Sequence, residues 1–130
     1  MGIFFDTNFI VNLIVETDFT GKARAIVEKY IEEEFITSVT VVEETLFVLK
    51  RLTKETNSKI VEMVKTVIEG LDIVVVDKLP LSEFLDVFGS YDLLPNDALI
   101  AATCKYHGIK RIATFDEDFK RVDFLEVVEA

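Results

Sequence analysis

Short apolar runs alternate along this chain with segments of helical period, and the joints between them are only a few residues long. Tight hairpins join antiparallel strands, whereas successive strands separated by helix-length crossovers run parallel. The pattern therefore predicts an α/β fold, a three-layer α/β/α sandwich with a central, mostly parallel sheet. Strands are expected at residues 3–5, 35–39, 71–76, 111–114 and 124–128, the β-branched run of 71–76 being the clearest. Helices are expected at about 7–15, 20–33, 40–52, 57–69, 81–88 and 96–107, with a turn at Gly89-Ser90 and a turn of helix near 117–120. Gly108 follows the sixth helix as a C-terminal stop. Glu32-Glu33-Glu34 reads as a solvated face whose charges, unfavourable at a helix C-terminus, mark an early stop. Without repeats, linkers or low-complexity stretches, residues 1–130 are expected to form one domain, long enough to bury roughly two-thirds of its unfolded surface.

Four carboxylates stand where this pattern changes from strand to helix. Asp6 follows the run 2–5, Glu44 follows 36–42, Asp97 opens 98–104, and Asp116 follows 111–115. In a parallel sheet, ligand sites form at the carboxyl ends of the strands, so acids placed there converge although they are distant in sequence. Helical spacing from Asp97 leads to Ile100, Ala101 and Cys104, and from Glu44 to Phe47 and Val48. Each carboxylate thus shares a stripe with apolar side chains expected to face the sheet. A carboxylate buried there either takes up a proton at raised pKa or binds a cation. Taken singly, Asp6, Glu44 and Asp97 also serve as helix caps or dipole partners, and Asp116 as a turn residue.

Composition excludes several classes. A net charge of −10 opposes a generic nucleic-acid binder, whose affinity comes from Lys and Arg on phosphates. It leaves room for a nucleic-acid enzyme, since two divalent cations on four acids would bring the effective charge to about −6. No apolar stretch approaches the roughly 18 residues of a membrane span. The eleven Phe imply either an aromatic core or apolar surface for a homodimer or a protein partner. A lone cysteine, Cys104, forms no internal disulfide and fits a reducing compartment, by default the cytoplasm. With one His and one Cys, a His/Cys structural zinc site is excluded within one chain. His107 reads as a dipole partner at a helix end and Cys104 as a small core residue. Lys50, Arg51, Lys54, Lys110 and Arg111 read as surface charge, with RNA phosphates as the alternative.

Three motifs carry a resemblance to a known family. Phe5-Asp6-Thr7-Asn8 is similar to the Asp-Ser/Thr-Asn start of the PIN domain, the nuclease fold of the VapC toxins. Leu94-Pro95-Asn96-Asp97-Ala98-Leu99-Ile100-Ala101-Ala102 resembles its Asp-Ala-Leu-Ile-Ala-Ala helix, the most specific match. Thr114-Phe115-Asp116-Glu117-Asp118-Phe119 resembles its Thr-x-Asp-x-Asp-Phe close. The helical Glu of the family falls at Glu43 or Glu44; Glu44 is preferred because its spacing to Phe47 matches the family's Glu-x-x-aromatic pattern.

The resemblance covers nearly the whole chain and implies a metal-dependent endoribonuclease. Asp6 and Asp97 would be the principal ligands of Mg²⁺ or Mn²⁺, with Glu44 and Asp116 completing the site directly or through water. Thr7, Asn8 and Thr114 either orient the carboxylates or a phosphate, or serve as caps. Asp118 reads as a solvated turn residue. The implied partners are an RNA substrate, an antitoxin protein and a second copy of the chain. Two rivals remain. A non-catalytic interaction module on the same fold is one, since a fold does not certify turnover. A haloacid-dehalogenase-like phosphatase is the other, although that family needs Asp-x-Asp where this chain has Asp6-Thr7-Asn8.

Overall fold

The computed structural model describes residues 2–130. Its centre is β1 (Gly2–Phe5), in which Ile3, Phe4 and Phe5 have no exposed surface. A strand is buried this completely only when both faces of its sheet are covered. The chain continues through α1 (Thr7–Ile14), α2 (Thr20–Lys29), β2 (Glu34–Ser38), α3 (Val39–Thr53), α4 (Asn57–Gly70) and β3 (Val74–Val76). It returns through α5 (Leu81–Ser90), α6 (Pro95–Tyr106), β4 (Arg111–Ala113), a 3-10 turn (Glu117–Arg121) and β5 (Glu126–Val127). The five strands lie in the order β3-β2-β1-β4-β5, every pair parallel. Helices α1 to α4 pack on one another, as do α5 and α6, so the sheet is the middle of an α/β sandwich. A smaller apolar cluster of Leu49, Ile60 and Val64 joins α3 to α4.

The elements begin and end for local reasons. Ser38 caps α3 by accepting from the Val41 N–H, and Thr56 caps α4 by accepting from the Lys59 N–H. α6 starts with Pro95 in its first turn and ends as expected at Gly108, whose φ of 70° lets the Ile109 N–H reach back to the Cys104 carbonyl. α2 stops at Lys29, short of the 20–33 expected and ahead of the acidic run, residues 30–33 form a turn, and Glu34 already belongs to β2.

Two expectations need correction. Residues 71–73 are not strand: the Asp72 backbone turns left-handed at φ 54° and the Ile73 N–H closes onto the Ile68 carbonyl, so these residues end α4. What remains, β3, is an edge strand with Val74 and Val75 partly exposed, because strand order places nothing beyond it. Gly89-Ser90 makes no turn; both residues stay in the last turn of α5. Among the described residues no helix is long and apolar enough to cross a membrane.

Candidate active site

From β1 the chain proceeds to β2 and β3 on one side, then crosses back to β4 on the other. That reversal opens a crevice at the carboxyl ends of β1 and β4, where such sheets bind ligands. Asp6 is the first residue past β1, and its N–H extends the pairing with β4 by donating to the Ala113 carbonyl at 3.1 Å. Its Oδ1 accepts from the Thr7 N–H at 2.7 Å and caps α1. Its Oδ2 accepts from the Thr114 hydroxyl at 2.7 Å, across 108 positions of sequence. The side chain is buried, and burial is the main cause that pushes its pKa from 3.8 to about 6. The two hydrogen bonds oppose that shift, while the charges of Glu44 and Asp116 add to it.

Thr114 and Asn8 hold the β4 exit against α1. The Thr114 hydroxyl accepts from the Asp116 N–H at 3.0 Å while donating to Asp6. Asn8 Oδ1 accepts from the Phe115 N–H at 3.0 Å. Asp116 in turn caps the 3-10 turn, its Oδ1 accepting from the Asp118 N–H at 2.9 Å. Capping and site building are therefore the same interactions here, and the two roles weighed for these residues do not exclude one another.

Asp97 sits in the first turn of α6, where a negative charge also complements the helix dipole. The stripe expected behind it is present: Ile100, Ala101 and Cys104 are buried, and the small side chains of Ala98, Ala101 and Ala102 are packed into the core. Asp97 is half-buried, and its pKa rises to about 6, first from burial and then from Asp116, Asp6, Asp118 and Glu44. One carboxylate oxygen each from Asp97, Asp116 and Asp118 lie within 4.8 Å of one another. Asp118 thus joins the group although its sequence position suggests a solvated turn. Its ion pair with Arg121 at 3.3 Å is the one ion pair made by any of these acids among the described residues.

Glu44 is half-buried and its charge raises both Asp6 and Asp97; Glu43 is exposed and contributes to neither. The stripe expected behind Glu44 differs from the one observed. Phe47 is 57 % exposed, with the Arg51 guanidinium 5.7 Å above its ring, and the core face of α3 is Val41, Thr45 and Leu49. Glu44 therefore stands at the border of the buried face. Asp6 and Glu44 lie outside the group of three, and each Asp6 oxygen accepts one hydrogen bond, from the Thr7 N–H and the Thr114 hydroxyl.

The donor chemistry suits a hard cation. Every candidate ligand is oxygen, the preference of Mg²⁺ and Mn²⁺. Burial, helped by the neighbouring carboxylates, raises Asp6 and Asp97 to about 6, so a cation beside them would favour their charged forms. The buried Thr7 hydroxyl has no hydrogen-bond partner among the described residues, an orphan of the kind a ligand's water shell satisfies. Other polar groups are used elsewhere. The His107 Nε2 donates to the Lys78 carbonyl at 2.8 Å, and Arg111, at the start of β4, pairs with Glu33 at the opposite end of the sheet.

Comparison with known proteins bears on the family and the fold. The family model described as the PIN domain matches residues 3–125. Ribonuclease VapC2 of Methanocaldococcus jannaschii is 35 % identical over 144 aligned positions, covering 98 % of this chain and 93 % of that protein. Among solved structures, the fold is similar to Mycobacterium tuberculosis VapC20, a sarcin-ricin loop cleaving toxin, with a TM-score of 0.78 at 21 % identity, covering 98 % and 99 % of the two chains. It is also similar to VapBC2 of Rickettsia felis, solved with a DNA fragment from the promoter, with a TM-score of 0.76 at 15 % identity and 98 % coverage of both chains.

Proposed function

Because this chain belongs to the PIN domain family, we propose that residues 1–130 form one domain that acts as a divalent-metal-dependent endoribonuclease, the toxin of a toxin–antitoxin pair. The observation that carries this reading is the convergence of Asp97, Asp116 and Asp118 to within 4.8 Å beside the buried Asp6. Carboxylates so close repel unless a cation joins them.

Asp97, Asp116 and Asp118, with Asp6 and Glu44 beside them, would hold Mg²⁺ or Mn²⁺. When bound, such an ion supplies Lewis-acid stabilisation of charge on the phosphate and a water acidic enough to attack near neutral pH. The chain supplies the rest. Thr114 and the Thr7 N–H hold the Asp6 carboxylate in one orientation, and Asn8 fixes the loop that carries Asp116 and Asp118. Glu44 makes no hydrogen bond or ion pair among the described residues, which would leave its carboxylate available to the ion or its water shell. No phosphatase-type proton donor stands at the second position after Asp6, since Asn8 there carries an amide with no acidic proton.

An antitoxin partner is supported by structural relatives solved as toxin–antitoxin complexes. A second copy is supported by Leu81, Leu85 and Phe88, spaced along one face of α5 and all exposed. A cytoplasmic location follows from the same reading, RNA being the substrate. The test is cleavage of total RNA with Mg²⁺, Mn²⁺ or EDTA by the parent and by Asp97→Ala. Metal-dependent fragments from the parent alone are expected; equal cleavage by the variant or in EDTA would overturn the assignment.

A further inference from the structure

Five phenylalanine rings run in contact from the middle of the sheet to the surface. Centroid distances are 4.7 Å from Phe35 to Phe5, 4.7 Å from Phe5 to Phe9, 5.8 Å from Phe9 to Phe115 and 4.9 Å from Phe115 to Phe19. Phe35, Phe5 and Phe9 are buried, Phe115 is half-buried, and Phe19 is left 48 % exposed. Rings backed in this way are rigid, so the outermost presents a fixed apolar face to solvent at little entropic cost.

That face does not look onto empty surface. Phe19 and Phe115 line a cavity of about 430 Å³, together with Lys22, Lys120, Thr114 and Asp116. Two of these residues, Thr114 and Asp116, belong to the acid site, so the cavity opens directly beside it. Glu117 and Glu129 also reach its rim. Lys120 pairs with Glu117 at 2.8 Å in an exposed contact that a phosphate can displace, while Lys22 makes no ion pair among the described residues. Aromatic faces with ammonium groups around them are what single-stranded RNA uses, its bases stacking while its phosphates meet the cations. An apolar peptide in the same place would strip water from Lys22 and Asp116 and return no partner to either.

Resting on the ribonuclease reading, we propose that this cavity seats one unpaired base adjoining the cleaved phosphate, stacked on Phe19 and Phe115, with Lys22 and Lys120 meeting the flanking phosphates.

The test is affinity for a short, unstructured, fluorescein-labelled RNA, measured in an Asp97→Asn background that blocks cleavage, with kcat/KM measured on the otherwise unaltered chain. Phe19→Ala should lower both roughly tenfold, the size of one lost base–aromatic stack. Phe19→Tyr should restore them, and Lys22→Gln should reduce the salt dependence of binding by about one phosphate contact. Mn²⁺ should stabilise Phe19→Ala as it does the parent, showing the acid site intact. If the parent cleaves RNA and Phe19→Ala binds and cleaves it equally well, the cavity assignment fails alone. Loss of binding to a protein partner with RNA affinity unchanged would likewise overturn it. If the parent cleaves no RNA under any metal, the ribonuclease reading fails first and takes the cavity with it.

Discussion

The two ends of the sheet treat acidic residues in opposite ways. At the amino ends of the strands, Glu33 accepts a 2.8 Å hydrogen bond from Arg111, and that contact lowers its pKa below the usual 4.5. At the carboxyl ends, burial first and neighbouring carboxylates second raise Asp6 and Asp97 to about 6. Glu33 has a cation of its own chain beside it, whereas Asp6 and Asp97 have none among the described residues. The difference separates structure from function: an ion pair completes itself, whereas a cluster that costs stability implies a ligand from outside.

The comparison can be broken most sharply at Asp97. Asp97→Ala should lower cleavage by about a thousandfold or more, a loss typical of removing electrostatic stabilisation from a transition state, with unchanged circular dichroism. Arg111→Ala at the other end should leave kcat/KM within about twofold, because its contacts with Glu33 and Tyr30 lie away from the acid site. Next in size is Thr114→Val. It removes the hydroxyl that orients Asp6, so Asp6 rises further and Mn²⁺ affinity, read by calorimetry, should fall roughly 10- to 100-fold.

The ends should also respond oppositely to pH. An acid whose pKa is raised holds its proton in the folded state at a pH where the unfolded chain has released it, so stability falls as pH rises. For the metal-free protein this loss runs between about 4 and 6 and is fully in place at pH 7. Asp6 accounts for on the order of 2 kcal/mol of it, and half-exposed Asp97 for less. Glu33 has the reverse sign: its contribution is present above 4.5 and is lost as pH falls through its lowered value. Denaturant unfolding from pH 3.5 to 7 should therefore show the upper slope reduced by Asp97→Asn, with the Asp6 share remaining, and flattened by Mn²⁺. The smaller acid-side slope should disappear with Glu33→Gln.

Much of the frame is legible in local sequence because local rules decide it. Gly108 ends α6 since only glycine takes φ 70° freely, and Asp97 announces itself as a charge ahead of a buried stripe of Ile100, Ala101 and Cys104. Other features depend on what lies beside a segment rather than within it. The run at 71–76 has the composition of a central strand, yet topology puts it at an edge and the turn that follows α4 takes its first residues. Glu44 keeps its place near the site without the Phe47 stripe, because α3 turns Val41, Thr45 and Leu49 inward instead. Asp118 looks solvated in isolation. The 3-10 turn that Asp116 caps carries it back toward Asp97, and an Asp-x-Asp pair leaving a strand was the signal that could have found it. Phe19 is similar: its position at the end of a ring chain exists only once β1, β2, α1 and the β4 exit are assembled.

The central claim is that the converged acids are a metal site whose repulsion the ion relieves. Thermal unfolding of the parent and of Asp97→Asn at pH 7, with and without millimolar Mn²⁺, addresses it most directly. A ligand that binds only the folded state stabilises it by about 2.7 kcal/mol at one hundred times its Kd. The parent should gain several degrees with Mn²⁺ and the variant little, while without metal the variant should be the more stable of the two. If Mn²⁺ shifts neither protein, or both equally, the carboxylates are not a metal site and the account is contradicted.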